Sequence, residues 1–185
     1  MRVLLMMVVF FLIPGSVYAD NRMPAHVVRV VDGDTIVVHV ENEHQEETLR
    51  LIGVDTPETV HPQKPVECFG KEASDALKHL IENQKIYIQS DSSQGPRDRY
   101  GRLLGYVFLD DGTHVNHELI QQGYGYEYTH NTPYRYQELF QQTERDARIN
   151  KRGLWAENAC EPSRDPTITT MIKILFQMFI ERVLS

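Results

Sequence analysis

Two β-branched runs, His26 to Val31 and Thr35 to Val40, flank a single Asp32-Gly33 turn. This constrains the chain more than any other feature, because period-two apolar runs this close together pair as an antiparallel hairpin. Glycine is expected there to supply the positive φ of a tight turn. Thr48 to Val54 alternates and reads as a third strand after the acidic loop 41–47, with Arg50 on one face. Residues 55–69 contain three prolines and little periodicity, so they form a loop. Ala73, Ala76, Leu77, Leu80 and Ile81 then recur at helical spacing and predict an amphipathic helix of three turns. Lys85 to Gln89 and Leu103 to Leu109 read as the fourth and fifth strands. A short helix from Val115 stops at Gly123, Tyr124, Tyr126 and Tyr128 alternate in an extended piece, and Thr132-Pro133 predicts the start of a last helix running to Gly153. Five short strands with one helix between the third and fourth match the order of an α+β, five-stranded OB-fold β-barrel with about three helices.

The two ends of the chain read differently from this centre. Arg2, the eleven apolar residues Val3 to Ile13, the Pro14-Gly15 break and the small-residue site at Val17-Tyr18-Ala19 predict a signal peptide over 1–19. Eleven residues at about 1.5 Å each fall short of a bilayer core of about 30 Å, which argues against a membrane anchor. The expected product is an exported protein, periplasmic or secreted, with its domain at 20–161. Export permits a disulfide, and Cys68 and Cys160 are the only two cysteines. A bridge between them is favoured over two buried thiols and would stabilise the fold by up to about 4–5 kcal/mol on the chain-entropy model. Residues 162–185 read as a linker and an apolar amphipathic C-terminal helix, in which Lys173, Gln177 and Glu181 form a narrow polar stripe. Such a helix suits a membrane surface, a partner, or an apolar patch of the domain itself.

The formal charge of −7 argues against binding nucleic acid by bulk positive charge, so any chemistry must come from a local site. Carboxylates and arginines recur at the ends of the predicted strands: Asp32, Asp34, Asp55 and Glu58, with Arg50 and Arg102. Carboxylates at strand ends can converge on a hard cation, and guanidinium forks match phosphate oxygens, a combination suited to phosphodiester hydrolysis. Turns are rich in Asp for ordinary reasons as well. His114 and His117 stand three apart at a helix start, but nothing else supports a zinc site, and solvent-facing histidines are expected. Arg145, Arg148, Lys151 and Arg152 suit a helix C-terminus.

Three blocks carry more information than this pattern. Val31-Asp32-Gly33-Asp34-Thr35, Leu49 through Glu58 (LRLIGVDTPE) and Asp98-Arg99-Tyr100-Gly101-Arg102, supported by Gly70-Lys71-Glu72-Ala73, Val115-Asn116 and Gly153-Leu154-Trp155, resemble the signature blocks of the staphylococcal nuclease (thermonuclease) family. The resemblance spans about residues 26–157 and implies an OB barrel with helices. It implies Ca²⁺ held by Asp34, Asp55 and the backbone carbonyl of Thr56. It makes Glu58 the carboxylate that orients or deprotonates water, and Arg50 and Arg102 the pair that grip the phosphate. Arg102 would face the leaving 5′ oxygen, giving 3′-phosphate ends. Arg99 and Tyr100 match positions that contact a terminal phosphate. Tyr126 and Tyr128 are the choice for the two tyrosines beside the nucleotide, with half-buried packing as the alternative. The expected activity is Ca²⁺-dependent hydrolysis of DNA and RNA by a monomer, and the runner-up is an OB module that binds nucleic acid without cutting it. The local cations Lys64, Lys71, Arg97, Arg99 and Arg102 would have to offset the acidic background.

Overall fold

A computed structural model of the chain describes residues 22–59, 65–82 and 84–161. The predicted signal peptide, the apolar tail and Lys64 lie outside the described residues. Five strands close a barrel, β1 (Met23–Asp32), β2 (Thr35–Val40), β3 (Glu46–Leu51), β5 (Lys85–Gln89) and β6 (Leu103–Leu109), in the order β1-β2-β3-β6-β5. Neighbours run antiparallel except at the β3–β6 seam, which is parallel. Helix α1 (Gly70–Ile81) follows the third barrel strand, as the spacing predicts, and α2 (Val115–Gln121) and α3 (Gln137–Ile149) follow the last. The barrel interior is apolar: Ile36, Val38, Leu49, Leu51, Ile86 and Ile88 are fully or almost fully buried. Leu77 and Ile81 of α1, Leu119 and Ile120 of α2, and Phe140 of α3 join the same core. The helices thus cover apolar surface that a short-stranded barrel leaves open.

Strand β1 starts at Met23, three residues before its β-branched run, because Met23 to His26 pair with β5. Two register shifts, at Val27/Arg29 and Val30/Asp32, bend it so that it can pair on both sides. Gly33 is not required for a positive φ, since it is absent from the glycines with that conformation. Close approach requires it instead: a Cβ there would lie 2.7 Å from Thr56 Oγ1 and 2.9 Å from Ala73 Cβ. The hairpin tip is wedged against α1 and the segment after β3.

Three further expectations are corrected. The predicted third strand breaks at Ile52-Gly53, and Val54–Asp55 becomes a separate strand, β4, paired with β7 (Tyr126–Glu127) in a two-stranded sheet. The break is held by Ile52 N–H donating to Gly105 O at 3.0 Å and by the Arg50 guanidinium donating to Leu51 O and Val54 O. Thr132-Pro133 does not begin the last helix. Gln94 Nε2 donates to the carbonyls of both residues, Asp91 accepts from the Arg135 amide at 2.8 Å, and buried Tyr134 donates to Glu127, so these tertiary ties hold 132–136 out of helix until Gln137. His114 and His117 are only partly exposed, packed against neighbours rather than turned freely to solvent. His114 stacks on Phe108 with ring centroids 4.3 Å apart and meets Tyr136 and Phe140, while His117 Nε2 lies 2.9 Å from Thr143 Oγ1.

Candidate active site

The β1–β2 turn places Asp34 at the start of β2, the end of β3 carries Arg50, and β4 carries Asp55. One nitrogen of the Arg50 guanidinium lies 2.6 Å from Asp55 Oδ1 and 3.1 Å from Asp34 Oδ2. The Arg50 side chain is only 12% exposed, so these charge-assisted contacts form largely out of water. Thr56 closes the group from the other side: its amide donates to Asp34 Oδ2 at 3.0 Å and its hydroxyl lies 3.2 Å from the same oxygen. Thr35, which pairs with Arg50 across the β2–β3 ladder, donates its hydroxyl to Asp34 Oδ1 at 2.9 Å.

Arg102 approaches through Thr35, its guanidinium 3.5 Å from the hydroxyl, as it enters β6. Asp98 fixes it from within its own loop, accepting from the Arg102 side chain at 2.6 Å and from its backbone N–H at 2.9 Å. Burial would raise the Asp98 carboxyl, but the bonds from Arg102 and the Tyr100 amide hold it below the usual range. The parallel β3–β6 seam is what brings the two arginines to the same end of the barrel.

Burial pushes the Asp55 carboxyl up, Arg50 pulls it back, and the charge of Asp34 raises it again, leaving it above an ordinary carboxylate. Asp32 is also raised, first by burial, with Thr59 opposing and a hydrogen bond to Glu58 adding to the rise. In both groups burial is the first cause of the rise, with a neighbouring carboxylate adding to it. Among the described residues no group of three or more His, Cys, Asp or Glu is placed to hold a metal. The donors gathered at the site are the two carboxylates on Arg50, with the Thr56 hydroxyl beside Asp34, all oxygen. That set fits a hard dication completed by water or substrate oxygens and does not fit zinc.

Glu58 lies beside Asp32, sharing a side-chain hydrogen bond with it. Arg99 donates to the Tyr100 hydroxyl at 2.5 Å, and the guanidinium carbons of Arg99 and Arg102 lie 4.7 and 5.5 Å from the Tyr100 ring centre. Tyr100 is 68% exposed, so this cationic and aromatic surface is open. Tyr126 pairs with Asp55 in register and is hydrogen-bonded to it; burial, then that carboxylate, pushes its hydroxyl up to about 12. Tyr128 lies farther along the chain, exposed, its hydroxyl 3.0 Å from His130 Nδ1. The predicted cationic cluster is mostly paired: Arg97 grips Glu47 through two bonds and Lys71 meets Asp75 at 2.5 Å. Cys68 and Cys160 form a disulfide. Asp98 was visible inside its signature block, whereas Glu67, whose carboxylate accepts from the Glu58 amide, carries no sequence signal in its proline-rich loop.

The fold and the site together define an OB-type barrel with a carboxylate–guanidinium centre at its strand ends. Residues 48–157 match the family model described as "Staphylococcal nuclease homologue". A thermonuclease of Staphylococcus hyicus is 41% identical over 74% of this chain and 78% of its own, and one of Staphylococcus intermedius is 39% identical over 74% and 79%. Endonuclease YncB of Bacillus subtilis is 35% identical over 74% of this chain and 63% of its own length. The chain belongs to the staphylococcal nuclease family.

Proposed function

We propose that this chain, a hydrolase of the nuclease type, cuts DNA and RNA at the Arg50 centre in a Ca²⁺-dependent reaction. The observation that carries the reading is the single Arg50 nitrogen in contact with both Asp34 and Asp55, with Arg102 one hydroxyl away. Asp34, Asp55 and the Thr56 carbonyl would hold Ca²⁺, which supplies positive charge against the two carboxylates and the phosphate. Arg50 and Arg102 bind the phosphate oxygens, in advance of the extra charge that water attack places there, a preorganisation worth several kcal/mol in such sites (about 3–4 per donor). Glu58 takes the proton from the attacking water. The new P–O bond forms as the bond to the 5′ oxygen breaks; that oxygen departs beside Arg102 and takes up a proton from solvent, leaving a 3′-phosphate and a 5′-hydroxyl. Arg99 and Tyr100 bind a neighbouring phosphate, and Tyr126 and Tyr128 border the nucleotide, Tyr126 also holding Asp55. The disulfide supports an exported location, in line with the predicted signal peptide.

Plasmid digestion tests this reading. Wild-type protein is expected to cut in Ca²⁺ and stop in EGTA, while Glu58→Gln and Arg50→Lys fold but lose about 100-fold or more in kcat. Lysine has one nitrogen and cannot meet the two carboxylates while a second nitrogen holds the Leu51 and Val54 carbonyls. Full-speed digestion in EGTA, or by either variant, would overturn it. Retained nucleic-acid binding with no cutting by the wild type would mark a binding module instead.

A further inference from the structure

Nine positions separate Glu58 from Glu67, yet Glu67 holds the main chain of Glu58 at both its polar groups. The Glu67 amide donates to Glu58 O at 2.8 Å, and Glu67 Oε2 accepts from the Glu58 amide at 3.2 Å. Glu67 is itself fixed. The Gly70 amide donates to Glu67 O at 3.0 Å, so the residue is tied to the start of α1. A Cβ on Gly70 would lie 2.9 Å from Pro57 O and 3.1 Å from Glu58 O, so the first turn of α1 rests directly on the segment that carries Glu58. Cys68, next in the chain, is bonded to Cys160, and its sulfur also approaches Ala159 O at 3.6 Å.

We propose that Glu67 is a positioning residue for Glu58, clamping its main chain through one side-chain and one backbone hydrogen bond, with the Cys68–Cys160 link holding the clamp in place. The inference rests on Glu58 being the group that takes the proton from water. A base displaced by a fraction of an ångström loses its near-attack geometry, so loss of the clamp acts on turnover and leaves metal and substrate affinity alone.

The test is steady-state cleavage of a DNA substrate in saturating Ca²⁺ by wild type, Glu67→Ala, Glu67→Gln, Glu58→Gln and the double variant Glu58→Gln/Glu67→Ala. Ca²⁺ affinity is measured by calorimetry, and Tm is measured alongside. Glu67→Ala is expected to lower kcat about tenfold, with KM and Ca²⁺ affinity within about twofold. Glu67→Gln, whose amide oxygen still accepts the Glu58 N–H, is expected to restore kcat to within about threefold of wild type, and removing Glu67 from the Glu58→Gln protein should cost nothing more. Wild-type kcat in Glu67→Ala, equal loss in Glu67→Gln, or a full further loss in the double variant would each overturn the clamp. Should Glu67→Ala fail to fold, Glu67→Ser replaces it in the cycle with the same criteria. Full activity in Glu58→Gln would instead remove the role of Glu58, and the clamp with it.

Discussion

His114 shows how one largely buried side chain couples stability to pH. Burial among Phe108, Tyr136 and Phe140, then the nearby His117 and Arg22, push its imidazole down to about 3. The folded state therefore holds it neutral while the unfolded chain protonates it near its ordinary value. Its contribution to stability is complete above about pH 6.5 and is lost progressively as the pH falls toward 3. By pH 5 the loss is expected to be about 1–2 kcal/mol. His114→Phe keeps the ring stack, and the difference between its urea midpoints at pH 7 and pH 5 is expected to be smaller than that of wild type. An unchanged difference would assign the acid sensitivity to other groups, such as His117, whose imidazole burial also pushes down. Gly33 makes the complementary point about size. Gly33→Ala forces a methyl to within 2.7 Å of Thr56 Oγ1, and is expected to cost about 1–3 kcal/mol and to weaken Ca²⁺ binding by displacing the residue that anchors Asp34. Calorimetric Ca²⁺ titration of the folded variant checks it.

The site depends on how short elements are tied together, and Asn116 at the start of α2 is one such tie. It is fully buried, its Oδ1 accepts from the Val107 amide at 2.9 Å, and its Nδ2 donates to Ile52 O at 2.9 Å. One side chain thus joins α2 to β6 and to the turn between β3 and β4. Asn116→Ala leaves a buried N–H and a buried C=O without partners and is expected to destabilise by about 2–4 kcal/mol, read from urea unfolding. The barrel strands and α1 were legible in the sequence because their apolar periodicity is local. The gathering of Asp34, Arg50, Asp55 and Arg102 was legible for a related reason: each sits inside a compact block of residues. The start of α3 was misread because Thr132-Pro133 carries a sound local helix-start pattern that Tyr134, Arg135 and Gln94 override through contacts distant in sequence. The two-residue strand β4 is too short to show any period. Its existence depends on Tyr126 and Glu127, about seventy positions away by order of magnitude, and short strands are defined by such partners. His114 and Glu67 stayed hidden likewise, since a histidine beside a helix start and a glutamate in a loop look solvated until their neighbours are known.

The disulfide joins positions 92 apart, from the head of α1 to the segment beyond α3, and spans most of the folded domain. Closing so long a loop restricts the unfolded chain severely. Reduction, or replacement of both cysteines by alanine, is expected to lower unfolding free energy by about 3–5 kcal/mol. Denaturant curves with and without reductant measure it, and a difference below about 1 kcal/mol would mean that the unfolded chain is already compact.

The parallel seam between β3 and β6 has a consequence for how the molecule comes into being. During synthesis the chain emerges from its amino end, so β1, β2, β3 and β5 are all present before Leu103 to Leu109 arrive. Until then β3 and β5 each expose a bare ladder of amides and carbonyls, the template on which polypeptides aggregate. Arg102 enters with that last strand, next to the Thr35 hydroxyl. A nascent chain therefore stays sticky until that strand arrives, and the step that shields its backbone is the same one that carries Arg102 to the Thr35 hydroxyl and the centre beside it.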